Sequence, residues 1–148
     1  MCYCLRCGLC CKETEMLLAN EDIERLERKG YSKVFFVQFD SAGYAKLRNH
    51  HGYCVFYDIE KKRCKVYRDR PLGCRLYPVI YYEEKGIDVD TLCSARSKWS
   101  REQIEKKGKK VIKLLEKIDN EAKQRCTNLA LSNSISNEKQ CNAKKQSS

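Results

Sequence analysis

The chain has 148 residues, of which 42% are hydrophobic and 34% charged, enough for one modest domain. No stretch approaches the ~20 apolar residues of a membrane-spanning helix, and a core this small commonly needs a metal or disulfides to hold it. The formal charge of +10 and pI near 9.1 permit attraction to nucleic acid or other anions without requiring it.

Eleven cysteines pose the first question: a secreted disulfide scaffold, or a metal protein in a reducing compartment. The opening run, Met1 to Cys7, lacks the basic segment and apolar stretch of a secretory leader. Cys10 and Cys11 are adjacent, a strained arrangement for a disulfide, and the cysteine count is odd. These features point to metal binding in the cytoplasm. Cys2 to Cys11 is too dense in cysteine for a regular element and reads as a metal-binding loop around Gly8.

Asn20 has the character of an N-cap, with Glu21 and Asp22 in the first turn and Lys29-Gly30 as the stop. A helix is expected over 21–29. Val34 to Phe39 reads as a strand, and Tyr44 to Arg48 as another. Tyr53 to Tyr57 and Arg63 to Tyr67 read as one hairpin across the polar loop 58–62, with Cys54 and Cys64 on its two arms. Val79 to Tyr82 and Ile87 to Val89 form a last hairpin. Ser100 and Gln103 have capping-box spacing. Ile104, Val111, Leu115, Ile118 and Ala122 then mark one face of a helix ending near Arg125, with Gly108 as a weak point. The fold class is α+β: a small cysteine-rich, metal-bound domain with short β-hairpins, a short N-terminal helix and a long C-terminal helix. The expected division is a metal-binding domain over 1–126, including that helix, and a polar, disordered tail over 127–148.

Cys4, Cys7 and Cys10 are spaced three apart, and Cys11 follows at once. The short C-x-x-C loop lets two thiolates reach one ion, while its backbone N–H groups offset the sulfur charge. That logic suits tetrahedral zinc and an iron–sulfur cubane alike. The ferredoxin run begins the same way, but here Cys11 is adjacent and no proline follows. Cys54, Cys64, Cys74 and Cys93 come later. Eight thiols suit two four-ligand sites, or one such site with reactive or structural cysteines besides. Cys2, Cys126 and Cys141 have weaker claims as ligands. Histidine can complete a site short of sulfur, but His50 and His51 lie in a polar stretch that reads as a loop.

The run Cys4-Leu5-Arg6-Cys7-Gly8-Leu9-Cys10-Cys11 resembles the CxxCxxCC signature of the YkgJ family of cysteine-cluster proteins, a family described by zinc or iron chelation. Cys54-Val55-Phe56, Cys64-Lys65-Val66-Tyr67 and Arg70-Pro71-Leu72-Gly73-Cys74-Arg75-Leu76-Tyr77-Pro78 follow the family order, and Asp22 matches a position usually acidic. The resemblance spans roughly 4–93. It departs at Ser94-Ala95-Arg96, where the family often has a glycine soon after the cysteine. It implies metal binding through Cys4, Cys7, Cys10, Cys11, Cys54, Cys64, Cys74 and Cys93. Flagellin lysine methylases carry a similar cysteine region linked to an iron–sulfur cluster, which favours [4Fe–4S] over zinc. Those enzymes are longer, and no glycine-rich nucleotide loop follows a strand here.

Arg70 and Arg75 flank Cys74, where a guanidinium can offset thiolate charge or donate N–H bonds to sulfur. Pro71 and Pro78 fix the turn around Cys74, and Tyr67 and Tyr77 read as core aromatics. The basic helix reads as a solvated face with pairs such as Glu105–Lys109 and Glu102–Lys106, ahead of a nucleic-acid surface. The leading expectation is a metal-binding protein holding a [4Fe–4S] cluster. The alternatives are a structural zinc adaptor with a basic nucleic-acid- or protein-binding surface, and a redox protein or enzyme with an open cluster position. No recognisable catalytic motif selects the last.

Overall fold

The computed structural model describes residues 9–91, 93 and 96–132. Cys4 and Cys7 therefore lie outside the described residues, as do Cys2, Cys141 and most of the expected tail. Among the described residues the architecture is α+β, made of four two-stranded antiparallel hairpins and four α-helices.

After a single 3-10 turn at Leu9–Cys11, the chain turns at Glu13, whose φ is 45°, and runs on to residue 18 without a helix or a strand, held by isolated bridges at Lys12 and Leu17. Sequence patterning gave no element here, because the partners that satisfy its backbone are distant. Glu13 N–H donates to the Gly52 carbonyl at 2.7 Å and Leu18 N–H to that of Ala45 at 2.8 Å. Leu47 N–H donates to the Met16 carbonyl at 3.0 Å, and the Asn49 side chain bonds both Thr14 N–H and the Thr14 carbonyl at 2.9 Å.

Helix α1 spans Asn20–Arg28. Its cap is Ala19 rather than Asn20, so the expected N-cap is displaced by one residue. The Asp22 carboxylate receives the Ala19 N–H at 3.1 Å, which does the work of a capping side chain from inside the helix. Ile23 and Leu26 are buried, as the stripe predicts.

The strand expected over 34–39 divides into α2, Lys33–Phe36, and β1, Val37–Phe39. One helical turn drives Phe36 fully inward, where its ring lies 5.5 Å from that of Phe56. Val34 and Phe35 stay exposed. β1 pairs with β2, Ala45–Leu47, with Val37 opposite Leu47.

The hairpin expected over 53–67 also divides. β4, Tyr53–Cys54, pairs with β3, Asn49–His50, whereas β5, Tyr57–Asp58, pairs with β6, Arg63–Cys64. Phe56 sits at the break and turns into the core, 1% exposed, with the Tyr31 ring edge-on at 5.0 Å. Burying a ring of this size is worth about 2–3 kcal/mol, more than the ladder bonds of one continued strand pair. Cys54 and Cys64 consequently lie on different hairpins. The last hairpin forms as expected, with β7, Val79–Tyr82, paired with β8, Gly86–Val89.

Helix α3, Leu72–Leu76, carries Cys74 and follows Pro71. Helix α4 runs Arg101–Ser132, one and a half turns or more beyond the expected end near Arg125. Its capping box forms as read: Gln103 N–H donates to Ser100 Oγ at 3.2 Å, and Ser100 N–H to Gln103 Oε1 at 3.0 Å. Val111, Leu114, Ile118, Ala122 and Cys126 are its buried stripe. Gly108 is a contact rather than a flaw: a Cβ there would meet Ile87 Cγ2 at 2.5 Å, so glycine lets α4 close on β8. Gly43 does the same lower down, where a Cβ would meet the Ala122 carbonyl oxygen at 2.6 Å. The packing makes one apolar cluster around Leu18, Leu26, Phe36 and Phe56, and two smaller ones where α4 lies on β7–β8 and on Ala19.

Candidate metal centre

Four separate segments deliver five of the seven described cysteines. Cys10 and Cys11 come from the opening 3-10 turn, with their Sγ atoms 4.0 Å apart. The Lys12–Tyr53 bridge lays that turn beside β4, which carries Cys54. Cys64 closes β6, and α3 supplies Cys74. Cys54 is buried and the other four are half-buried. Cys11, Cys54, Cys64 and Cys74 all border the largest apolar cluster, so the thiols sit on the floor of the core rather than on open surface.

The five sulfurs feel one another. The contact between Cys10 and Cys11 sets them apart: it lowers Cys10 to about 7 and pushes Cys11 far up. Burial raises Cys54 to about 11, with the charges of Cys64 and Cys10 adding to it. Burial also lifts Cys74 well above the ordinary thiol, helped by Cys54, Cys10 and Cys64. Gathering several thiolates in one half-buried place is costly without a compensating cation. Arg70 supplies part of it, because its charge acts to lower both Cys10 and Cys74.

The two arginines divide the labour. Arg70 stacks on the Tyr67 ring at 3.9 Å and donates Nε–H to the Tyr67 carbonyl at 2.9 Å. Arg75 instead binds backbone, donating to the carbonyls of Arg70 at 3.1 Å and Arg68 at 2.7 Å. It braces the turn that leads into α3.

Cys93 and Tyr77 are both hydrogen-bonded to Asp90. The Tyr77 hydroxyl donates to Asp90 Oδ2 at 2.8 Å, and Cys93 N–H donates to the Asp90 carbonyl at 3.1 Å. Burial, with the negative charges of Asp90, Cys10 and Cys93, pushes the Tyr77 phenol up. Tyr77 thus feels both Cys10 and Cys93.

Sequence reasoning missed the hub that holds these pieces in register. Asp22 is fully buried. Its carboxylate accepts from Ala19 N–H, from Leu72 N–H at 3.0 Å and from Arg25 Nη2 at 2.9 Å. The same Arg25 nitrogen donates to the Arg70 carbonyl at 2.8 Å. One ion pair therefore ties α1 to the start of the cysteine-bearing α3. The sign in the sequence was an acid and an arginine three apart on a helix, a spacing also common on solvated faces.

Other candidates stand elsewhere. His50 and His51 are exposed on the β3–β4 turn, with their rings against each other at 4.0 Å. Cys126 packs beneath Gly43 as a small buried residue. On α4, Glu105 pairs with Arg101 at 3.7 Å, both well exposed, and Lys106, Lys109, Lys110 and Lys113 face solvent.

A soft-metal fit is met in donor chemistry and in mutual charge. A tetrahedral zinc site with Zn–S bonds of ~2.3 Å has sulfurs ~3.8 Å apart, close to the Cys10–Cys11 spacing. Among the described residues, no three Cys, His, Asp or Glu side chains form a ready-made cage. The thiols are gathered there but not closed around one point.

A small α+β unit that collects half-buried thiols from several chain segments belongs to the class of cysteine-cluster proteins. Residues 3–94 match the CxxCxxCC family model, described as "Putative zinc- or iron-chelating domain", and the chain belongs to that family. Membership supports metal binding. The chain is also 32% identical over 91 residues to "Uncharacterized protein MJ0661" of Methanocaldococcus jannaschii, covering 57% of this chain and 48% of the relative. It thus spans about half the length of that relative. No solved structure matches. No helix among the described residues is long and apolar enough to cross a membrane.

Proposed function

We propose that the chain holds a thiolate-bound metal centre, a [4Fe–4S] cluster, drawing its ligands from Cys4, Cys7, Cys10, Cys11, Cys54, Cys64, Cys74 and Cys93. The observation that carries metal binding is the gathering of five thiols at one edge of the core, Cys54 buried and the others half-buried, whose thiolate forms a cation would stabilise. Arg70 offsets the remaining negative charge, and Arg75 braces the turn before Cys74. The likeness of the cysteine region to that of flagellin lysine methylases favours iron–sulfur. The unit doing this is residues 1–126, acting in the reducing cytoplasm, where thiolates persist. The cluster, when bound, supplies electron transfer or an open iron position.

A single zinc ion is the second reading, favoured by the 4.0 Å Cys10–Cys11 spacing. Iron, acid-labile sulfide and zinc assays on anaerobically isolated protein separate the two. Iron and sulfide in equal amounts, with a visible absorption band, support the cluster. A colourless protein with stoichiometric zinc replaces it with the second reading.

A further inference from the structure

An open cavity of about 420 Å³ lies between α4, the β7–β8 hairpin and the segment after the first cysteines. Its walls are apolar, made by Leu17, Leu76, Val79, Val111, Leu114 and Ile118. Cys10 and the hydrogen-bonded Tyr77–Asp90 pair also line it, as do the exposed Lys12, Glu13 and Glu15. An apolar cleft of ~300–1,000 Å³ with a few convergent polar groups is the usual form of a small-molecule site.

The charges decide the ligand class. Three carboxylates, Glu13, Glu15 and Asp90, face one ammonium, Lys12, so the lining is formally −2 while the chain is +10. The cavity opposes the sign of the molecule that carries it. An anion entering the cavity meets like charge, and a cation is drawn in. We propose that this cavity binds a molecule with an apolar body and a single cationic head, a hydrophobic amine, the head lying toward Asp90 and Tyr77. The proposal rests on the metal reading only in placing the occupant beside a ligated Cys10; binding itself does not need the metal.

The test uses the full chain as isolated, its metal content measured separately. It is titrated with octylammonium, octanol and octanoate below their aggregation concentrations, by calorimetry and by NMR of the Val111, Leu114 and Ile118 methyl groups. Octylammonium is expected to bind about tenfold or more tighter than octanoate, with shifts confined to those methyls. Leu114→Trp, which fills the cavity, is expected to weaken octylammonium about tenfold. Glu13 and Glu15 are exposed, so Glu13→Gln with Glu15→Gln leaves the fold intact and is expected to narrow the ammonium preference to about threefold or less. The idea is overturned if none of the three probes binds, if octanoate matches octylammonium, or if the double glutamine variant keeps the full preference. A chain that contains no metal yet binds octylammonium in this pattern overturns the metal reading and leaves this one standing.

Discussion

Replacing Asp22 by alanine removes the buried carboxylate that receives two backbone N–H groups and the Arg25 guanidinium. A hydrogen bond to a charged group contributes ~1.5–3 kcal/mol, and breaking a buried pair by deleting one partner costs ~3–5 kcal/mol because the other charge is left behind. The Arg25 side chain is 21% exposed and keeps its bond to the Arg70 carbonyl, so water and backbone recover part of that loss. The expected destabilisation is about 3 kcal/mol, or a Tm lower by about 10 °C for a chain of this length. Asp22→Asn keeps an acceptor and its shape, and is expected to cost about half as much. Denaturant unfolding of the three proteins, each loaded with metal and again after chelation, measures this. The ion pair orients the chain that carries Cys74, so Asp22→Ala is also expected to lower metal content. A loss below about 1 kcal/mol with full metal content refutes the assignment of Asp22 as the tie between α1 and α3.

Three further outcomes follow. Gly108→Ala raises helix propensity by ~1 kcal/mol, yet the new Cβ would meet Ile87 Cγ2 at 2.5 Å, so net destabilisation of about 1–2 kcal/mol is expected, relieved when Ile87→Ala is added; a more stable single variant contradicts the packing argument. Cys54→Ala is expected to reduce bound metal by at least about half, whereas Cys126→Ala leaves it unchanged, as metal analysis of folded protein shows. Burial and the hydrogen bond to Asp119 raise Tyr44 to about 12. The native state therefore holds that proton longer than the unfolded chain does, and stability is lost as pH rises from ~10 through about 12. Tyr44→Phe is expected to flatten that limb of the pH–stability curve, and an unchanged limb rejects the assignment.

What could be read from the sequence was local. The capping box at Ser100 and Gln103, the stripe along α4 and the Val79–Val89 hairpin each state their structure within a few neighbours. Phe36 and Phe56 were misread because a β-rich run signals burial but not which residue turns inward. The segment 12–18 carries no pattern of its own, since Gly52, Asn49 and Ala45 satisfy it from far along the chain. The cysteines were legible by type and spacing, and Cys10, Cys11, Cys54, Cys64 and Cys74 gather in the fold. The buried Asp22–Arg25 tie and the Tyr77–Asp90 pair were not legible as partners of the centre. Their roles depend on which elements pack against them.

X-ray absorption at the metal edge of the isolated protein tests the thiolate centre most directly. The account predicts a first coordination shell of sulfur at ~2.3 Å, diminished in Cys10→Ala and Cys74→Ala. A shell of oxygen or nitrogen alone, or folded protein with neither iron nor zinc, would contradict it.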